Sequence, residues 1–439
     1  MTTSLLDGYN VGGMGQMVAV TAYPPSVYNH SGASALPYSY LKHRPAGMTV
    51  SLVTFPPAKD RNTDDLRRQY EDIGITDVTF LGHYGPPVKS RIVRKAWAYY
   101  YRRRLPRAQR TDLGRFCASY PVYRRVVKAI ERKQPDLVYV YPDVLVNWGS
   151  VLARSFPTIM TGPDCLALYY LRRLQQDCAA ATNAEQDATR FLEAARLAKA
   201  WASTPAAMHF VGKEDEAFYN KLTASFPGPQ QQSFFSPHPI CGCAGSYTGT
   251  PFERPSQINV LIAQEDPRYT TDLTNLLVEA IGKSDADVKD RIKLHFRGSG
   301  ATDRVEKANS LGLKAVSIGW VDCFEEFLAG MDVQVFPIAV GTGTKGKVLS
   351  AFDCGSLCIG TKHAFENIAI EAGTDCLEFE TAETAAAHLA GAVHHPGDAK
   401  NIAIRGMKSV RCSHSPESSS TDFWGNAVKV ARSLREANS

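Results

Sequence analysis

The sequence predicts an α/β protein made of two domains, each a doubly wound parallel sheet covered by helices. Apolar runs alternate with helical patterns in two separate series, which is typical of parallel sheets with helical crossovers. The chain has 439 residues, 44% of them hydrophobic. Since a domain usually takes ~100 to 200 residues, this length favours two cores over one.

The first series predicts a domain over residues 1–224. A helix is expected around Leu36–His43 and an Ala-rich one over Asn183–Ala202. The buried strands are expected at QMVAVTAY (16–23), MTVSLVTF (48–55), DVTFLG (77–82), DLVYVY (136–141), PTIMTG (157–162) and MHFVG (208–212).

The second series predicts a domain over residues 257–415. A Pro-, Gly-, Ser- and Gln-rich stretch at 225–256 separates the two series and is interpreted as a linker. Residues 416–439 carry Phe423, Trp424 and Val428 at helical spacing, which predicts a C-terminal helix. The strands of the second domain are expected at 257–263, 291–298, 314–321, 332–338, 356–361 and around CLEFET.

Composition excludes several classes of protein. The chain contains no run near the ~20 apolar residues of a membrane span, and its start lacks a basic segment followed by a long apolar run. We therefore expect a cytoplasmic protein. The ten cysteines show no zinc-finger spacing, so reduced thiols and no metal or other cofactor are expected.

One segment, Lys89 to Lys133, is strongly basic. It contains fifteen Lys or Arg residues against Asp112 and Glu131, interleaved with aromatic residues. This composition suits anionic lipid, a phosphate-bearing acceptor or nucleic acid, and an ordinary solvated helix face is an equally weighted alternative. No nucleic-acid motif accompanies the segment, so peripheral contact with an anionic membrane, at its inner face, is the preferred partner hypothesis.

The segment DVQVFPIAVGTGTKGKVLSAFDCGSLCIGT (332–361) is the most informative for function. A strand is followed by Gly341 and Gly343, then by Lys345 and Lys347, and then by a helix. Glycines before a helix leave backbone N–H groups open to an anion, and the helix dipole and lysines add positive potential. This pattern predicts a diphosphate site.

Two further patterns bear on the same hypothesis. Gly341 to Lys347 also fits GxxxxGK, but Val348 stands where a P-loop needs Ser or Thr for magnesium, which disfavours a P-loop NTPase. A second glycine turn, FRGSG with Gly298, ends another predicted strand. Both turns would meet at one edge of a parallel sheet, where ligands bind.

Three segments follow one another in the order LLVEAI, HFRGSG and GWVDCFEEFLAGMDVQVFPIAVGTGTKGKVLSAFDCGSLCIGT. Because of these segments, residues Ile258 to Thr361 resemble the donor domain of GT-B glycosyltransferases. The similarity is greatest to the large retaining family 4, also called group 1, which includes bacterial polysaccharide and lipid-linked glycan transferases. It implies two Rossmann-like domains, a nucleoside diphosphate sugar as donor, and no metal.

The resemblance also implies roles for particular residues. His30 and Asp164 would lie near the transferred sugar, Asp164 orienting it or accepting the acceptor proton. Alternatively, Asp164 is a helix N-cap and His30 has no catalytic role. The sugar or acceptor loop would comprise Asn29, Ser31 and Gly32. The donor site would comprise Gly298, Trp320, Gly341, Gly343, Thr344, Lys345, Lys347 and Ser350.

The sequence departs from the family at several of these positions. Many members carry two glutamates eight positions apart where this chain has Thr342 and Ser350, and Pro163 stands where many have a histidine. A serine hydroxyl can bond a ribose but carries no charge.

The expected function is transfer of a sugar from a nucleoside diphosphate sugar to an acceptor hydroxyl of a glycan or lipid-linked glycan. Mutation of Lys347 to Ala should abolish turnover in such an enzyme, whereas a protein without catalysis has no turnover to lose. The alternatives are a GT-B protein that has lost catalysis and binds a ligand or partner, and, ranked third, a nucleic-acid-directed protein.

Overall fold

The structure is a computed structural model. It describes residues 15–27, 32–56, 63–81, 120–142, 145–162, 164–180, 183–226, 231–241, 247–254, 256–262, 273–298, 300–319, 321 and 323–438. The chain divides into two compact units: Met1–Pro237 together with Ser419–Ser439, and His238–Ser418. This division falls inside the stretch 225–256, which the sequence analysis interprets as a linker.

The first unit contains a seven-stranded, all-parallel sheet in the order β3-β2-β1-β4-β5-β6-β7. The six predicted strands are all present; five are one or two residues shorter at one or both ends, and the sixth begins one residue earlier and ends two residues earlier than predicted. The strands are β1 (Gln16–Thr21), β2 (Thr49–Thr54), β3 (Asp77–Phe80), β4 (Leu137–Tyr141), β5 (Thr158–Thr161), β6 (Ala207–Phe210) and β7 (Ser233–Phe235). Strands β1, β4, β5 and β6 are almost entirely buried, as expected for a sheet covered on both faces.

Helices connect these strands. The apolar core on one face combines strand residues with residues from five of the helices, such as Val126, Trp148 and Leu168. The helices are α1 (Gly32–Lys42), α2 (Thr63–Asp72), α3 (Tyr120–Lys133), α4 (Val146–Leu152), α5 (Leu166–Ala180), α6 (Ala184–Ala202) and α7 (Lys213–Ala224).

A helix late in the chain, α16 (Pro416–Asn438), completes the first unit and confirms the predicted C-terminal helix. The ring of Phe423 stacks on Tyr40 of α1 with centroids 4.1 Å apart. The indole N–H of Trp424 donates to the Tyr40 carbonyl at 2.9 Å. Arg435 forms an ion pair with Asp136, whose carboxylate also accepts hydrogen bonds from the amides of Gly15 and Gln16 at the start of β1. Apolar stacking and ionic contacts thus fix α16 to residues far away in sequence.

The second unit contains a six-stranded, all-parallel sheet in the order β10-β9-β8-β11-β12-β13. All six strands were predicted, so the fold class is confirmed. The strands are β8 (Ile258–Ile262), β9 (Ile292–Arg297), β10 (Lys314–Ile318), β11 (Val333–Phe336), β12 (Leu357–Gly360) and β13 (Leu377–Glu378).

Helices cover this sheet as well, and the core combines β8, β9, β11 and β12 with the helices around Leu277, Leu389 and Ala403. Among the residues that the structure describes, no helix has both the length and the apolar character needed to cross a membrane. The helices are α8 (Leu273–Gly282), α9 (Ala286–Arg291), α10 (Ala301–Ser310), α11 (Phe324–Ala329), α12 (Gly346–Asp353), α13 (Lys362–Phe365), α14 (Ala382–His394) and α15 (Pro396–Ser413).

In each sheet the strand order reverses beside the first strand, between β1 and β4 and between β8 and β11. Open parallel sheets bind ligands beyond the carboxyl ends of their strands at such a switch point. The glycine loop that follows β11 therefore starts where this topology places a ligand.

Candidate functional site

The loop between β11 and α12, residues 337–345, contains the predicted diphosphate site. Two neighbouring loops at the carboxyl edge of the sheet are joined by Thr361, which follows β12. Its hydroxyl donates to the carbonyl of Ile338 at 2.6 Å and accepts from the Ala364 amide at 3.2 Å. One side chain thus fixes the start of the glycine loop and caps α13.

Two glycines of the loop differ in what requires them. Gly343 has φ +63°, in the left-handed region that favours glycine. A Cβ at Gly341 would lie 2.8 Å from Cε of Lys345, so a larger residue there would displace that side chain. The predicted glycines therefore permit one particular loop conformation.

Lys345 folds back onto this loop. Its ammonium donates to the carbonyls of Thr342 at 3.0 Å and Gly343 at 2.8 Å. The Gly343 carbonyl also accepts from Nδ2 of Asn367, at 3.5 Å, and Asn367 itself has φ +66°. The lysine thus both shapes the loop and places a positive charge beside the first turn of α12.

Helix α12 begins at Gly346, with Lys345 as its N-cap residue. The first amides of a helix point out of its N-terminus and, with the helix dipole, attract an anion. Lys347 is exposed on this first turn. Ser350 lies one turn further on, and its hydroxyl donates to the Gly346 carbonyl at 3.2 Å. The arrangement is suited to binding a phosphate-bearing ligand.

The second glycine turn follows β9. Gly298 has φ +99° and Gly300 has φ +73°, so both adopt conformations that favour glycine. The guanidinium of Arg297 lies 4.4 Å from the ring centroid of Phe324, the first residue of α11. Since β9 neighbours β8, this turn lies at the same edge of the sheet as the glycine loop. Trp320 falls outside the described residues.

The predicted residues of the first unit are only partly described. Asn29, His30 and Ser31 lie outside the described residues, and Gly32 is the first residue of α1. Asp164 is half-buried and lies two residues before α5. At this helix start, the Cys165 amide donates to the fully buried carboxylate of Asp215 at 2.7 Å. Asp215 is a capping residue that the sequence analysis did not identify.

Sequence reasoning also missed Thr361, Asn367 and His238 in the second unit. A Cβ on Gly346 would lie 3.6 Å from Cε1 of His238, so this imidazole lies beside the start of α12. Asn tolerates the left-handed region, which is a weak local signal for Asn367. No local pattern indicates the contact of His238, because it joins residues more than a hundred positions apart.

Within the described ranges, no group of three or more His, Cys, Asp or Glu residues could hold a metal ion. Lys345, Lys347 and the dipole of α12 supply positive charge near the glycine loop.

Comparison with known families identifies the segment that contains this site. Residues 268–395 match the family model described as glycosyl transferases group 1. The match includes both glycine turns and the start of α12. No curated protein sequence gives a significant match.

Several solved structures share the fold across both units. HepE from Anabaena, solved in complex with UDP and glucose, is 11% identical with a TM-score of 0.59, covering 96% of this chain and 98% of that chain. Sucrose-phosphate synthase from Thermosynechococcus elongatus is 14% identical with a TM-score of 0.65, covering 96% and 100%. α,α-Trehalose 6-phosphate synthase from Burkholderia multivorans is 11% identical with a TM-score of 0.60, covering 97% and 99%.

These findings confirm the resemblance on which the sequence analysis is based. The chain has the GT-B fold, and its segment 268–395, which contains the glycine loop, is similar to the group 1 glycosyltransferases.

Proposed function

We propose that the protein is a glycosyltransferase that moves a sugar from a nucleoside diphosphate sugar to a hydroxyl of a glycan or lipid-linked glycan. One observation carries the proposal: the loop of Gly341 to Lys345 leads into the N-terminus of α12 at the switch point of the sheet. The family match of this segment supports it. The complex of HepE with UDP and glucose supports a nucleoside diphosphate as the ligand class.

The chemistry follows from the charge that develops on the leaving group. When the sugar departs, negative charge accumulates on the diphosphate, and fixed N–H groups, the helix dipole and lysine ammonium groups stabilise it. The proposal needs no metal for this step. Retention at the anomeric carbon, a role of Asp164 as base and contacts of His30 with the sugar belong to the same proposal.

The test is the thermal unfolding temperature with UDP, GDP, ADP and CMP, together with release of the nucleotide from the matching nucleotide sugars. A ligand at a hundred times its dissociation constant stabilises the native state by about 2.7 kcal/mol. We expect one nucleotide to raise the unfolding temperature and its sugar conjugate to be turned over. Failure of all of them at millimolar concentration would reject the proposed function.

A second candidate function is ligand binding without catalysis. It is favoured by Ser350, which stands where many family members have a ribose-binding glutamate. Its hydroxyl already donates to the Gly346 carbonyl within the helix. Thr342, at the other glutamate position, is 6% exposed and equally uncharged. Stabilisation by a nucleotide sugar without release of diphosphate would favour this candidate over the transferase.

The acceptor side of the proposal involves the basic segment, of which residues 89–119 lie outside the described residues. The described part, α3, exposes Arg125, Lys128 and Arg132. Cations on a helix surface attract anionic head groups, and salt weakens this attraction. We expect the protein to sediment with anionic vesicles at low salt but not with zwitterionic ones. Equal sedimentation with both would contradict a charge-driven membrane contact.

A further inference from the structure

His238, the first residue of the second unit, is held rigidly. It is 5% exposed. Its carbonyl accepts a hydrogen bond from Nδ1 of His414 at 2.8 Å, and the Ile240 amide donates to the His414 carbonyl, also at 2.8 Å. Nε2 of His414 accepts from the Ala369 amide at 3.2 Å, which agrees with a proton on its Nδ1. The backbone around His238 is therefore fixed on both sides by the end of α15.

The proton of the His238 ring is located by its neighbour. Nδ1 lies 2.7 Å from the carbonyl oxygen of Pro239, and because a carbonyl only accepts, Nδ1 carries the proton. Burial, and secondarily His414, lower the pKa of His238 to about 4, so the ring is neutral at pH 7. Nε2 therefore bears a lone pair, and none of the hydrogen bonds found among the described residues reaches it.

The edge of the His238 ring that carries Cε1 and Nε2 lies beside the start of α12. A Cβ built on Gly346 would lie 3.6 Å from Cε1 and 3.8 Å from Nε2 of His238. Since Cα–Cβ bonds tilt towards the N-terminus of a helix, the ring edge lies on that side of the first residue. A hydrogen-bond acceptor on a side chain that is only 5% exposed thus lies beside the anion-attracting end of α12.

The groups around the ring keep it an acceptor. His414 faces it from the end of α15, and burial together with His414 lowers the pKa of His238. Lys345 and Lys347 flank Gly346 at the start of α12 and add positive charge there. A neutral imidazole nitrogen repels a phosphate oxygen but accepts a hydrogen bond from a hydroxyl. A ligand that suits both features carries a hydroxyl close to its phosphates.

We propose that Nε2 of His238 accepts a hydrogen bond from a sugar hydroxyl of the nucleoside diphosphate donor, on its ribose or on the transferred sugar. This inference rests on the proposed function and adds a donor-binding residue outside the glycine loop. An acceptor that the bound ligand covers gives selectivity, because a ligand without the hydroxyl leaves the nitrogen desolvated and unpaired.

The test compares ligands and variants by isothermal titration calorimetry. The ligands are UDP, GDP and ADP, their 2′-deoxy and 3′-deoxy forms, and the matching glucose conjugates with their 2-deoxyglucose and 3-deoxyglucose analogues. The proteins are the wild type, His238→Phe, which lacks the acceptor, and His238→Gln, whose amide oxygen can replace it. We expect the wild type to bind the hydroxyl-bearing form about tenfold more tightly than one analogue. The position of the missing hydroxyl in that analogue shows whether His238 binds the ribose or the transferred sugar.

The variants then decide the assignment. His238→Phe should bind the hydroxyl-bearing and deoxy ligands equally, and His238→Gln should recover part of the preference. If wild type binds a nucleotide but shows no preference for a hydroxyl, or if His238→Phe keeps the preference, the assignment of His238 is wrong and the proposed function stands. If wild type binds no nucleoside diphosphate and no nucleotide sugar, both proposals are overturned.

A variant at another position, Gly346→Ala, tests the same proposal if the His238 variants fail to fold. Gly346→Ala places a methyl group at ordinary contact distance from the ring, and alanine favours a helix start more than glycine does. This substitution leaves the hydrogen bonds of His238 intact and narrows the approach to Nε2. Reduced preference for the hydroxyl in Gly346→Ala supports the proposal, and an unchanged preference contradicts it.

Discussion

Replacing Gly406 by alanine is expected to destabilise the second unit by about 3 kcal/mol or more, the upper range of overpacking effects. Gly406 lies in α15, where a Cβ would come 2.3 Å from the carbonyl oxygen of Asp375 and 2.8 Å from a ring carbon of Phe352. Real Cβ atoms essentially never approach another heavy atom below 3.0 Å. The helix or its neighbours must therefore move.

The neighbours of Gly406 are fixed. The Asp375 amide donates to the Glu371 carbonyl at 2.8 Å, and its carboxylate accepts from the Glu371 amide at 3.1 Å. Phe352 is fully buried and belongs to α12, the helix that begins at Gly346. Displacement of α15 is thus expected to disturb α12 as well, so weaker nucleotide binding should accompany the loss of stability.

Gly391→Ala is the matched control. Gly391 also lies inside a helix of the second unit, α14, but a Cβ there would meet nothing within 4 Å. Since alanine is about 1 kcal/mol better than glycine in a helix interior, this variant should be slightly stabilised. The measurement is the thermal unfolding temperature by circular dichroism. An unfolding temperature for Gly406→Ala equal to that of Gly391→Ala would show that α15 does not pack as described.

Lys345→Ala is expected to reduce turnover of the nucleotide sugar by about 100- to 1,000-fold, the range found when a preorganised electrostatic contact to a developing charge is removed. The substitution removes a positive charge and both hydrogen bonds from the ammonium to the carbonyls of Thr342 and Gly343. The glycine loop should therefore lose its conformation as well as its potential. The measurement is the steady-state release of nucleoside diphosphate.

Comparison of Lys347→Ala with Lys345→Ala should separate the effect of positive charge on nucleotide binding from the effect of the loop conformation. Lys347 is exposed, and its removal is expected to lower nucleotide affinity, with an effect that shrinks as salt increases. Lys347→Arg should preserve most of the affinity because it keeps the charge. Lys408→Ala removes an equally exposed lysine from α15 and serves as the control for net charge. Equal activity of Lys345→Ala, Lys347→Ala and Lys408→Ala would contradict a phosphate site at α12.

The sequence predicts most of the fold, because buried parallel strands are short runs of apolar residues. All twelve predicted strands are present. Strand β7 was missed because SFF is only three residues long and lies among Gln, Ser and Pro residues that are typical of a linker. Its position in the first sheet depends on pairing with β6, which no local pattern shows.

The candidate site was predictable only where its chemistry is local in sequence. Gly341, Gly343 and Lys345 are close neighbours in the chain, so their pattern by itself indicates an anion site. The contacts of Thr361 and Asn367 with this loop, and the position of His238 beside Gly346, depend on which strands are adjacent and where α15 ends. Those are tertiary facts, and histidines and threonines are too common for their positions alone to indicate them.

The assignment of α16 to the first unit has a consequence for the order in which the protein folds during synthesis. All residues of the second unit, 238–418, are made before Phe423, Trp424 and Arg435 leave the ribosome. Since domains fold as units during translation, the second unit can reach its native state while the first still lacks the aromatic side chains that cover Tyr40. A chain that ends at residue 418, held on the ribosome by an unrelated linker long enough to clear the exit tunnel, should therefore carry a protease-resistant second unit and a protease-sensitive first one.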